Sequence, residues 1–220
     1  MGKRFSDAFG LLKYSFLMIV IWSLWLLVFW PGIMSNDSID QWTQITTGKF
    51  VDIHPVFHTL FLWFLTRVYF SPATIAIVQI LILSLLSGGI LYYFEKLGSP
   101  KIILWGISFF MAVSPVNAEM VITLWKDIPY STALLGLTFI FLIIVYSNGN
   151  WLYQNKNLLL LGITTLLVFL FRHNGGGGIG SLIALFIFLS NSQKKNCKRF
   201  NNHFNFDAFH KTTNLSNFEC

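Results

Sequence analysis

The chain alternates long apolar runs with short polar interruptions, and the first run, Tyr14 to Trp30, contains no charged residue. Comparable runs cover roughly 12–30, 73–94, 102–122, 128–147, 157–172 and 175–190. A helix needs about 20 mostly apolar residues to cross a bilayer. The pattern therefore predicts an all-α fold, a polytopic transmembrane helical bundle of about six spans over residues 1–192. Pro31-Gly32-Ile33-Met34 is a poor cleavage site, so the first run reads as a retained helix and not as a signal peptide.

Two further stretches break the span pattern and predict juxtamembrane helices in the first outer loop. In SNDSIDQWTQITTG (35–48), Ser35 or Asn36 can cap a short helix and Gly48 can end it. At helical spacing Asp37, Asp40, Gln41 and Gln44 share one face while Ile39 and Trp42 point elsewhere, which predicts a helix on the membrane with an acidic face turned to a cavity. HPVFHTLFLWFLTRVYF (54–70) is apolar but carries two His and Arg67, and Pro72 follows closely. It reads as an amphipathic interfacial helix, with a full span as the rival.

Toward the C-terminus the pattern fails. Residues 200–220 show neither helical nor strand periodicity, so 193–220 is expected to be a disordered cytoplasmic tail. The glycine run 175–178 opens a predicted span although each glycine costs about 1 kcal/mol relative to alanine in a helix. A truncated or damaged reading frame would explain both features.

Composition agrees with the pattern: 55% of residues are hydrophobic and only 11% charged, which excludes an ordinary soluble domain. The net charge of +6 does not imply nucleic acid, because most basic residues punctuate the apolar runs and form no single basic face. Both cysteines, Cys197 and Cys220, fall in the tail, so no disulfide framework is implied. With 54–70 kept on the outer side, eleven basic residues (3, 4, 13, 96, 101, 156, 194, 195, 198, 199, 211) fall inside and four (49, 67, 126, 172) outside. The positive-inside rule favours that orientation.

On this topology the ionisable residues Asp37, Asp40, Lys49, Asp52, His54, His58, Arg67, Glu119, Lys126, Asp127, Arg172 and His173 collect at the outer ends of the segments. Span interiors are almost free of charge. A transporter places ionisable groups near the midplane, so the pattern points instead to a site at the outer membrane-water boundary. Two acids on a solvated loop helix, suited to its dipole, remain the plain alternative for Asp37 and Asp40.

The order of a first span, the outer Asp37, HPVFHTLF (54–61), LWKDIPYS (124–131) and FRHNG (171–175) resembles bacterial membrane glycosyltransferases of the glycosyltransferase C (GT-C) superfamily. The similarity covers about 14–190 and is to a branch related to protein O-mannosyltransferases and aminoarabinose transferases. The resemblance implies that Asp37 is the catalytic carboxylate and that Arg172 lies near the phosphate of a lipid-linked sugar donor, with Lys126 assisting. Family members often carry two adjacent acids at this point, whereas Ser38 follows Asp37 here; Asp40 is therefore a rival base. Asp127 matches an acidic position at a span start, as a cavity-wall hydrogen bonder or as a helix N-terminal acid paired with Lys126.

The chemistry fits such a reaction. Nucleotide sugars are confined to the cytoplasm, so transfer outside needs a donor carried on a lipid such as a polyprenyl phosphate. Inverting transfer needs one carboxylate to accept the acceptor's proton, and the departing phosphate needs cationic donors, for which the Arg fork is suited. His54 and His58 join the expected substrate-binding set. Pro55 makes His54 the residue before a helix and no Glu lies between the two, so no metal site is expected. No cofactor is implied, and GGGGIG lies in an apolar run without a phosphate-loop lysine. The expected partners are a lipid-linked sugar donor, an acceptor of unspecified class (glycan, lipid or protein) and the plasma membrane, crossed several times. A transporter or flippase of a lipid-linked glycan, or an inert fragment, are the alternatives.

Overall fold

The computed structural model describes residues 2–51 and 55–172, with side chains from residue 10 onward. Asp52, His54, His173, the predicted span 175–190 and the tail 193–220 lie outside the described residues. In chain order the described helices are α1 (Gly2–Val28), α2 (Asn36–Thr47), α3 (Val56–Leu65), α4 (Pro72–Lys96), α5 (Lys101–Val113), α6 (Pro115–Ile122), α7 (Asp127–Tyr146) and α8 (Asn155–Phe171), with a 3₁₀ turn at Asn150–Tyr153. Among the described residues the β-structure is confined to one parallel bridge, Ile33 with Thr123.

The expected all-α architecture is present, and three helices are long and apolar enough to cross a membrane: Gly10–Val28, Pro72–Lys96 and Asp127–Tyr146. The stretch 102–122, expected as one continuous span, is two helices bent by 59°. The break has a local cause: Pro115 has no N–H to donate, and its ring disfavours helical backbone at the residue before it. Ser114 accordingly adopts φ −58°, ψ 116°. Counted as one span, the bent pair gives a fourth crossing. Helix α8, with 17 residues, is shorter than the other three; at 1.5 Å per residue it covers about 25 Å of a hydrocarbon core about 30 Å thick.

Helices α1 and α4 form the antiparallel frame. Lys13, near the start of α1, meets Glu95, near the end of α4, at 3.0 Å. Met18, Trp22 and Leu26 of α1 pack with Ala76 and Ile80 from the beginning of α4, together with Ala118, Val121 and Ile122 of α6. Small residues let the two backbones approach closely: a Cβ at Gly88 would lie 2.0 Å from Ser15 Oγ and 2.7 Å from Ser15 N. The outward sides of these helices stay apolar and exposed, as at Phe16, Leu27, Ile102 and Phe110, which suits contact with lipid chains.

Because α1 and α4 are antiparallel, the segment joining them leaves and returns at one end of the bundle. Helix α3 has ten residues, about 15 Å of rise, half the hydrocarbon thickness. The stretch 55–70 therefore does not cross the bundle, and the rival reading of a full span falls. Helix α7 begins and α8 ends at the same end, where Phe171 packs edge-on against Phe57 and Phe61 of α3. The opposite end gathers Lys13, Glu95 and Lys101.

Candidate functional site at the α2 end

The local rules at α2 act as expected. Ser35 Oγ accepts a hydrogen bond from Ser38 N at 3.3 Å. Gly48 takes the left-handed conformation, φ 71°, and its N–H donates to Gln44 O at 2.9 Å. Only a residue without Cβ adopts that conformation without cost.

What places α2 over the bundle is a set of backbone contacts between distant segments. Ile33 N donates to Ile122 O at 3.1 Å and Leu124 N donates to Ile33 O at 3.0 Å, forming the parallel bridge. Gln79 Nε2 of α4 donates to Thr123 O at 3.1 Å. Ser38 Oγ, buried in the first turn of α2, donates to Leu124 O. The strap 123–126, which begins where the bent α6 stops, is thus fixed beneath the start of α2.

This arrangement brings Lys126 Nζ to 3.0 Å from Asp37 Oδ2 across 89 residues of sequence. Asp37 retains 41% of its side-chain exposure, enough to be reached from solvent, while Lys126 retains 22%. The next residue, Asp127, opens α7, and its Oδ1 lies 3.5 Å from Arg172 Nη1. That oxygen is buried and has no hydrogen-bond partner among the described residues, so the guanidinium charge beside it compensates its desolvation. Arg172 also lies over the Tyr130 ring, 5.3 Å from its centroid, as a cation–π contact. Two ion pairs that draw on three separate segments are therefore joined through one peptide bond, Lys126–Asp127.

The other expected residues take different places. Asp40 is exposed one turn along α2 and accepts a hydrogen bond from Gln44 Nε2 at 3.1 Å. His58 is buried between α2 and α3, with Nδ1 3.0 Å from Gln41 Oε1, a bond that requires the proton on Nδ1. Gln41 Nε2 in turn donates to Thr59 Oγ1 at 3.1 Å. His58 consequently fixes α2, and with it Asp37, from within. Among the described residues no group of three or more His, Cys, Asp or Glu is placed to hold a metal ion.

Sequence reasoning passed over Tyr130, Thr59 and the anchoring role of Ser38. Tyr130 stands three residues after Asp127, one helical turn on, and that spacing was a usable signal. Ser38 and Gln41 are three apart and mark the buried stripe of α2; Thr59 carries no sequence signal of its role. Two apolar grooves of about 450 and 560 Å³ lie elsewhere, along α4 and α7.

Chemically, a half-exposed carboxylate can accept a proton, and a lysine and an arginine on adjoining segments can hold an anionic oxygen. No family model, curated protein or solved structure matches the chain.

Proposed function

We propose that the chain is the multi-pass membrane part of a glycosyltransferase that moves a sugar from a polyprenyl-phosphate donor to an acceptor hydroxyl or amine at the outer face of a bacterial plasma membrane. The observation that carries this reading is the paired arrangement Asp37–Lys126 and Asp127–Arg172 at one end of an apolar bundle. In it Asp37 is the general base. Lys126 and Arg172 receive the departing phosphate, whose lipid tail remains in the bilayer. Asp127 holds Arg172 in place, and Asp40, exposed and one turn away, is the less favoured base. The predicted sixth span, 175–190, belongs to this proposal.

A second reading, transport of a lipid-linked glycan, draws on the 59° bend between α5 and α6, since broken helices often line transport sites. The ionisable side chains of that pair are Lys101, at the start of α5, and Glu119 of α6, both exposed and neither buried at the bend, which favours the transferase.

The test follows turnover of a radiolabelled polyprenyl-phosphate sugar by membranes bearing the full-length protein. Asp37→Asn keeps size and hydrogen bonding but removes the basic oxygen, and is expected to lower kcat about 10²-fold, the usual scale for a positioned base. Arg172→Ala is expected to weaken donor binding as well, because phosphate contacts act in both ground and transition states. Wild-type turnover in both Asp37→Asn and Asp40→Asn overturns the assignment; movement of the labelled lipid across the membrane without sugar transfer favours transport.

A further inference from the structure

Tyr130 stands at the α2 end of the bundle and has no role in the proposed reaction as written. Its neighbour there, Arg172, caps the end of α8 in extended backbone, φ −144°, ψ 129°. The residue before it, Phe171, is buried and packs edge-on against the Phe57 and Phe61 rings. The Arg172 backbone is thereby anchored, but its side chain is long and 48% exposed. Holding a guanidinium of that kind in one orientation costs rotamer freedom.

Asp127 alone does not supply the orientation. Its Oδ1 lies 3.5 Å from Arg172 Nη1, longer than the about 2.8 Å of a charge-assisted hydrogen bond, and has no hydrogen-bond partner among the described residues. A single charge attraction of that length leaves the guanidinium plane free to swing. The Tyr130 ring restrains it from a second direction. The guanidinium carbon lies 5.3 Å from the ring centroid, inside the reach of about 6 Å over which a cation is drawn to an aromatic face.

Carboxylate and ring are built as one unit. Asp127 and Tyr130 are three residues apart in the first turn of α7, so they meet Arg172 from one side. Pro129 between them fixes its own φ, and Tyr130 N donates to Lys126 O at 3.3 Å. Lys126 is also the residue that meets Asp37 at 3.0 Å. One helical turn therefore sets Arg172 in register with the strap beneath α2.

We infer that Tyr130 is a positioning residue for Arg172, its ring face setting the plane in which the guanidinium presents its N–H groups to the donor phosphate. The inference rests on the transferase reading for the identity of that phosphate. It assigns Tyr130 to donor binding and not to proton removal.

The experiment uses the full-length protein in phosphatidylcholine nanodiscs. It measures the affinity for radiolabelled polyprenyl phosphate, the lipid left once the sugar has moved, and kcat and KM for the polyprenyl-phosphate sugar. Tyr130→Leu removes the ring face and is expected to weaken polyprenyl phosphate binding about fivefold. KM for the donor should rise by the same factor with kcat unchanged, because the contact acts equally in ground and transition states. Tyr130→Phe keeps the ring and is expected to restore wild-type affinity. In the Arg172→Ala background Tyr130→Leu should add no further loss, since it acts only through the guanidinium. Circular dichroism confirms that each variant stays helical, and Tyr130→Met carries the same test if Tyr130→Leu does not fold. Wild-type affinity in Tyr130→Leu, an equal loss in Tyr130→Phe, an additive loss in the double variant, or a fall in kcat matching the loss of affinity would each overturn the inference while leaving the transferase reading in place. A wild-type protein that neither binds polyprenyl phosphate nor transfers sugar overturns both.

Discussion

At one end of the bundle Lys126 meets Asp37 at 3.0 Å, and at the other Lys13 meets Glu95 at the same distance. The settings differ. Lys13 lies 3.0 Å from both oxygens of Glu95, a further lysine stands at 3.6 Å, and both partners sit on long helices locked together around Gly88 and Ser15. Asp37 instead sits on a twelve-residue helix and Lys126 on a strap held by a few backbone hydrogen bonds. Glu95 is the more enclosed carboxylate, 17% exposed between two long helices, whereas Asp37 is 41% exposed and can turn to solvent by a side-chain movement. One carboxylate is thereby shielded and the other reachable from solvent, and the surroundings decide which.

The comparison can be broken most sharply by sidedness, where the expected result is all or none. In a chain lacking Cys197 and Cys220, Thr46→Cys and Ser71→Cys are expected to react with a membrane-impermeant thiol reagent in intact cells, and Ser99→Cys to be protected. Labelling at Ser99→Cys with protection of the other two would invert the bundle and place Asp37 in the cytoplasm.

Next in size is the helix frame. Gly88→Leu would drive a side chain into Ser15 N and the Leu11 carbonyl, backbone atoms that cannot move aside cheaply. Overpacking of this kind costs about 3 kcal/mol, read as a lower thermal midpoint in detergent. At the α2 end Gly48→Ala meets no atom within 4 Å, so only its left-handed backbone matters, at about 1 kcal/mol. Equal losses from the two glycines would remove the distinction between a tightly packed frame and a loosely docked α2.

The buried contact beneath α2 should give an intermediate effect. His58→Ala leaves Gln41 Oε1 without its buried partner, and is expected to cost about 2 kcal/mol and to lower the proposed turnover by loosening Asp37. Unchanged stability would show that His58 does not anchor α2.

The smallest effect is expected at the lysine-rich end. Glu95→Gln removes a partly exposed ion pair, worth at most about 1 kcal/mol, and the loss should shrink as salt screens the charges. A loss that persists at high salt would make this pair a buried, unscreened element of the frame.

The sequence by itself determined the all-α class, the apolar runs that became α1, α4 and α7, and both ends of α2. These follow from local rules: helix length against bilayer thickness, a serine oxygen reaching an N–H three residues on, a glycine tolerating positive φ. The proline that breaks α5 from α6 was also visible, but within a long apolar run hydropathy averages over it, and the stretch reads as one span. Only the tertiary structure decided that 55–70 stays at one end, that His58 lies inside, and that Lys126 meets Asp37 while Arg172 meets Asp127. Those pairings join residues tens of positions apart. They depend on where the bent α6 delivers the strap 123–126 and on which backbone groups of 31–35 receive it, and no local preference of the chain encodes that geometry.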